Sequence, residues 1–211
     1  MSESETGTDS EFGVVASDDT IDKTAAALES HGIRALVAGS GPEARDLVTQ
    51  LLPAGAEVFN NTSRTLETTG LAEDIERSGR YQPLRLRLYQ MDREMQQREM
   101  RLLAASPDYV IGSVHAVTEG GSLLIASASG SQLGPLVSGA GHVILVIGGQ
   151  KIVPDTETGI RRIHQYAFPL EDARARQVYG VPSAVNNILI INQVVAPDRF
   201  TAILVKERLG F

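Results

Sequence analysis

The chain has 211 residues, enough for one full α/β core, with 42% apolar and 21% charged residues, an ordinary globular balance. It holds no cysteine, which excludes a disulfide framework, an iron–sulfur cluster held by its own thiolates and a thiol nucleophile. The net charge of -7 comes without any basic stripe, so a surface that tracks nucleic-acid phosphates is not expected. No apolar run reaches membrane-spanning length and no secretory leader opens the chain, so a soluble, cytoplasmic protein is expected.

Residues 1–17 are rich in Ser, Glu, Thr, Asp and Gly, and read as a mobile acidic tail ahead of a single domain over residues 18–211. A helix is predicted over residues 18–31, with Ile21, Ala25 and Leu28 inward and Gly32 as a left-handed stop. Residues 33–38 form a nearly continuous apolar run, suited to a strand buried on both faces. Ser40 and Glu43 make a capping box for a helix through Ala44, Leu47, Val48 and Leu51, and residues 57–60 form a second strand. This strand–helix–strand unit places its two strands parallel through a right-handed crossover.

A polar loop over residues 60–65 follows, then a helix that Gly79 stops. Residues 88–105 read as another helix, with Met91, Met95 and Leu102 on one side and Glu94 supporting Arg98. Strands are predicted over residues 108–113, 122–127 and 142–148, the last as a central one. Residues 155–168 are helical, Pro169 breaks the helix before a second piece ending near Gly180, and strands over 188–191 and 200–205 close the chain. The alternation predicts a three-layer α/β/α sandwich with a mostly parallel sheet. Ligands of such sheets sit outside the carboxyl ends of the strands, which directs attention to the loops that leave them.

Gly39-Ser40-Gly41 leaves the first strand and suits either an anion or merely a tight turn with a capped helix. Ser63 and Thr65 lie in the polar loop after the second strand, where they suit an anion or the cap of the next helix. Glu119, flanked by Thr118 and Gly120, is the candidate carboxylate for proton transfer or nucleophilic attack, with His115 as its imidazole partner. A hairpin with a merely solvated turn fits the same residues. Ser129, Gly130 and Gln132 leave the following strand, and Lys151 leaves the strand over 142–148 as a cation able to balance an anion. Glu119, Lys151 and the 127–132 loop are therefore expected at one rim of the sheet. The four histidines are scattered without metal-ligand spacing, and no Gly-x-Ser-x-Gly elbow follows a strand, so neither a metal nor a cofactor is called for.

Taken together, Thr62-Ser63-Arg64-Thr65-Leu66-Glu67, residues 112–121, residues 126–133 and residues 149–155 resemble the lactate-utilisation (LUD) domain family, in order and over nearly the whole chain from residue 18. The resemblance implies a fold like that of ribose-phosphate isomerases, glucosamine-phosphate deaminases and CoA transferases. It also implies a role near bacterial oxidation of L-lactate to pyruvate, beside iron–sulfur partner proteins, with a small anionic ligand (carboxylate, phosphate or CoA ester). By analogy with CoA transferases, Glu119 is the residue to attack an acyl group. Two alternatives stand beside this: an independent enzyme on a sugar phosphate or CoA thioester, and a partner-binding subunit without pocket chemistry.

Overall fold

The structure, a computed structural model, describes residues 11–211. A 3-10 turn, Glu11–Gly13, precedes helix α1 (Asp18–Ser30), whose cap is the Ser17 hydroxyl accepting from the Thr20 N–H. Residues 11–17 are packed rather than tail-like. Phe12 is buried, its carbonyl accepts from Arg162, and the Ala16 N–H donates to the Gly149 carbonyl. The acidic composition misled there because a single aromatic anchor outweighs the polar residues around it. The rest of the expected tail, residues 1–10, lies outside the described residues.

Strand β1 (Arg34–Ala38), helix α2 (Gly41–Leu51) and strand β2 (Glu57–Asn60) form the expected unit. Ser40 caps α2, and Glu43 reaches back to the Gly39 N–H at 2.7 Å. The next helical stretch is split into α3 (Arg64–Thr68) and α4 (Leu71–Arg77), because Gly70 between them takes a left-handed φ of 75°. Strand β3 (Gln82–Pro83) leads into α5 (Leu84–Gln90), which is separated from α6 (Gln97–Ala105) by a turn. One long helix over 88–105 does not form. The Asp92 carboxylate accepts from the Glu94 and Met95 N–H groups at 2.8 and 3.0 Å, a local turn that competes with helix. Met95 and Leu102 are exposed, and Glu94 falls in the turn.

Strands β4 (Tyr109–Gly112), β5 (Ala116–Thr118), β6 (Leu123–Ser127), β7 (His142–Gly148) and β8 (Ile152–Val153) follow. Helix α7 (Thr156–Arg162) passes through a π turn, Ile163–Ala167, into α8 (Phe168–Tyr179), so the break expected at Pro169 takes the form of a widened turn just before it. Strands β9 (Asn187–Ile191) and β10 (Phe200–Val205) complete the chain.

Six strands form a parallel sheet in the order β1-β10-β7-β4-β2-β3, with β7 inside it as expected. Alternation along β7 serves two cores. Ile144 and Val146 pack with Ala44 and Val48 of α2, Leu66 of α3, and Leu71 and Ile75 of α4. Val143, Leu145 and Ile147 pack the opposite way, against Ile21 and Leu28 of α1. Sharing that second face is a smaller sheet, β8-β5-β6-β9, which contributes Val117, Leu123 and Ile125. Its other side carries Leu124, Ala126 and Val153 against Ile163. Helix α7 approaches it closely at Gly159, where a Cβ would fall 2.9 Å from Leu124. The α/β class is as expected; the second sheet, inserted between the main sheet and α7, is the addition.

Candidate functional site

The loops after β2, β4 and β6 and the turn after β7 converge on a cavity of about 400 Å³, a size typical of small-molecule sites. At its floor lies Lys151, only 2% exposed. Its Nζ contacts Thr65 Oγ1 at 3.0 Å, Ser113 Oγ at 3.0 Å and the Val114 carbonyl at 3.1 Å. Burial, and secondarily the Arg162 cation, push the Lys151 amine well below the usual lysine range.

The loop after β2 divides its tasks. Ser63 caps α3 by accepting from the Leu66 N–H. Thr65 donates to the Leu209 carbonyl at 3.1 Å and accepts from Lys151. Asn60 donates to Glu76 at 2.8 Å, while the side-chain oxygens of Asn60 and Asn61 are buried without a partner among the described residues. Asn61 fits only because residue 112 is glycine, where a Cβ would come within 2.9 Å of its amide nitrogen.

His115 also lines the cavity, and its Nδ1 accepts from the Ala126 N–H at 3.1 Å, so the neutral ring carries its proton on Nε2. Burial, then the Lys151 and Arg162 charges, lower its pKa to about 3. Behind it Arg162, fully buried, donates to the carbonyls of Gln150, His115 and Phe12. Burial lowers the Arg162 pKa to about 10. Arg64, Arg85 and Arg174 line the upper walls, Arg174 in a bidentate pair with Glu171 at 2.7 and 2.8 Å.

A family model of the LUD domain matches residues 21–205. The chain belongs to the LUD domain family. This LUD domain is similar in structure to a DUF162 family protein from Deinococcus radiodurans, known from a crystal structure at 1.70 Å, with a TM-score of 0.56 at 11% identity. The match covers 91% of this chain and 99% of that one, and at such identity it speaks for the fold alone. No curated protein matches the chain at a significant level.

Of the residues singled out in the sequence of this LUD domain, Ser63, Thr65, His115, Ser129, Gln132 and Lys151 line the cavity. Gly130 shapes the adjoining turn, with φ of 76° and its N–H donating to Ser127, but it does not line the wall. Glu119, Thr118 and Gly120 are elsewhere. Strand β5 runs parallel to β8 with Val117 opposite Ile152 and Thr118 opposite Val153. Residues before β5 therefore lie beside Lys151, and residues after it lie beyond Val153, at the other end of the pair. The Thr118 hydroxyl accepts from the Ser122 N–H, and Glu119 is exposed. The turn is the plain hairpin of β5 and β6. His115 and Glu119 thus form no pair, and His115 is held neutral with Nδ1 occupied by the Ala126 N–H.

Asn60 and Asn61 lie in the polar loop, and Ser113 in the 112–121 stretch, that the sequence marks, though without a role of their own, whereas Arg85, Arg162 and Arg174 carry no mark there. Ser113 belongs to a loop leaving a strand and was within reach of that rule; a lone arginine on a polar helix carries no such signal. Among the described residues no helix is long and apolar enough to cross a membrane, and no cluster of His, Asp and Glu is placed to hold a metal ion.

Proposed function

We propose that the cavity binds a small organic anion through a carboxylate or phosphate. One observation carries this reading. In a chain of net charge -7, the guanidinium groups of Arg64, Arg85 and Arg174 line the cavity against the carboxylate of Glu171 alone. Basic walls in an acidic protein concentrate anions at that place, and guanidinium forks match the planar geometry of carboxylate and phosphate. Hydroxyls of Ser113, Ser127, Ser129 and Ser131 add neutral donors.

The family resemblance makes lactate, pyruvate or a related organic acid the first ligands to try, in a pathway of organic-acid use that includes iron–sulfur proteins. The cavity of about 400 Å³ leaves room for an anion well beyond three carbons, which favours sugar phosphates and acyl esters as competitors. A thermal-shift screen of lactate, pyruvate, sugar phosphates and CoA esters tests the reading, since a ligand of the native state raises the melting temperature. The expected result is a shift with at least one anion that Arg174→Ala or Arg85→Ala diminishes. Binding unaffected by either substitution, or no shift with any anion, would overturn the reading.

A further inference from the structure

The three contacts of Lys151 are not equivalent. The hydroxyl proton of Thr65 goes to the Leu209 carbonyl, so its oxygen accepts from Nζ. The Val114 carbonyl can only accept. Two N–H bonds are thereby assigned. The third neighbour, Ser113 Oγ at 3.0 Å, can accept from an ammonium or donate to the lone pair of a neutral amine. Ser113 also reaches the Val114 carbonyl, but at 3.5 Å, beyond ordinary hydrogen-bond length. None of the carboxylates in a described salt bridge is paired with Lys151, and burial disfavours its charged form. In its neutral form the amine has its lone pair left for the Ser113 hydroxyl, the one neighbour that can donate to it.

We propose that Ser113 is a nucleophile activated by Lys151 as general base, and that the cavity accepts anionic acyl esters or thioesters. The substrate class rests on the anion-binding reading above; the Ser113–Lys151 pair rests on geometry of its own. Ser113 is half-buried and lines the cavity with Lys151 close behind it, so the hydroxyl is placed to attack and the amine to exchange protons with it and with the groups it meets. Ser–Lys pairs are a known variant of the serine nucleophile.

In the first step Ser113 Oγ bonds to the acyl carbon and its proton passes to Lys151 Nζ. The tetrahedral adduct then expels the alcohol or thiol, which takes that proton from Nζ. Water attacks the acyl-serine in the same manner, giving up a proton to Nζ, and the carboxylic acid leaves as Ser113 regains its hydrogen. His115 is suited to a supporting role. It is neutral with its proton on Nε2, so it can donate to the developing oxyanion without competing for the serine proton.

The test uses the full chain and a small alkyl fluorophosphonate, which replaces fluoride with serine oxygen, read by intact mass and peptide mapping. One adduct on Ser113 is expected. Its rate should rise once with pH, at a midpoint well below the usual lysine range. Ser113→Ala should stay unlabelled while melting like the parent, and Lys151→Met should label at least about 100-fold more slowly. A folded protein with no adduct on Ser113 between about pH 6 and pH 10 overturns the proposal. Labelling that ignores pH overturns it too, and this holds even if Lys151→Met does not fold. Burst release from the p-nitrophenyl esters of succinate and acetate separates the two readings. Equal bursts on Ser113 would leave the serine–lysine pair standing and overturn the anion reading. Phosphate binding seen by calorimetry, with Ser113 unlabelled, would do the reverse.

Discussion

Arg162 donates through Nη1 to the main-chain carbonyl of His115, and the same guanidinium reaches Gln150 at 3.3 Å and Phe12 at 3.3 Å. One buried cation therefore ties together the entry to β5, the turn after β7 and the N-terminal segment. Its fork geometry matters, because a lysine presents a single point of donors and cannot span carbonyls from separate segments. Arg162→Lys and Arg162→Met each leave buried carbonyls unpaired, at about 1–3 kcal/mol apiece. Both should lower the unfolding free energy by at least about 2 kcal/mol, read as a fall in the urea midpoint at an unchanged slope.

Phe12 stands at the far end of that network. Arg161 lies over its ring at 5.5 Å, and the Tyr166 ring is tilted against it with centroids 6.4 Å apart. Phe12→Ala removes a buried aromatic at the margin of the core, where collapse is easier than at its centre, and should cost about 2–3 kcal/mol. A melting temperature within a degree of the parent would show that the segment contributes nothing to the domain.

Burial of His115 as a neutral ring has a pH consequence. Its folded pKa of about 3 lies below the ordinary value of 6.5. As pH falls below about 6.5, the unfolded chain takes up a proton that the folded protein refuses, so stability declines toward pH 3. The limiting slope from this group is about 1.4 kcal/mol per pH unit. His115→Gln keeps an acceptor for the Ala126 N–H and removes the titration. Its stability, measured by urea unfolding between about pH 7 and pH 4, should fall less steeply than the parent's.

The interior of the main sheet was legible because its strands are buried on both faces and read as continuous apolar runs. Val143 to Ile147 shows this, and Ile144→Asp should abolish soluble expression by burying an unpaired charge between β10 and β4. Short elements set by polar turns were less legible. Asp92 ends a helix whose Met95 and Leu102 had suggested a core face, and three-residue β5 is too short to show a period. Half of the site followed from one rule: loops at the carboxyl ends of parallel strands delivered Ser63, Thr65 and Lys151 to one cavity. The rule failed for Glu119, which leaves a strand of the second sheet. That sheet rests on α1 at Gly121, whose virtual Cβ would lie 2.8 Å from the Ala27 backbone. Nothing local in the sequence distinguishes a strand of one sheet from a strand of the other.

Lys151 supplies the sharpest test of the site's electrostatics. Burial holds its amine well below the usual lysine range, whereas in the unfolded chain it titrates near 10.5. Between those two values the unfolded state carries a proton that the folded state does not, so parent stability rises with pH across that window and levels off above it. Lys151→Met has no such titration. It frees the interior of an amine but leaves the Val114 carbonyl without its donor, a cost of about 1–3 kcal/mol that does not vary with pH. The sign of the difference at neutral pH is therefore set by two opposed effects, whereas its slope is set by one. The stability of Lys151→Met relative to the parent should decline steadily from neutral pH toward about pH 10.5, with the parent gaining. A difference that stays flat across that range would mean that the amine keeps its proton in the fold, and the lone pair assigned to Ser113 would not exist.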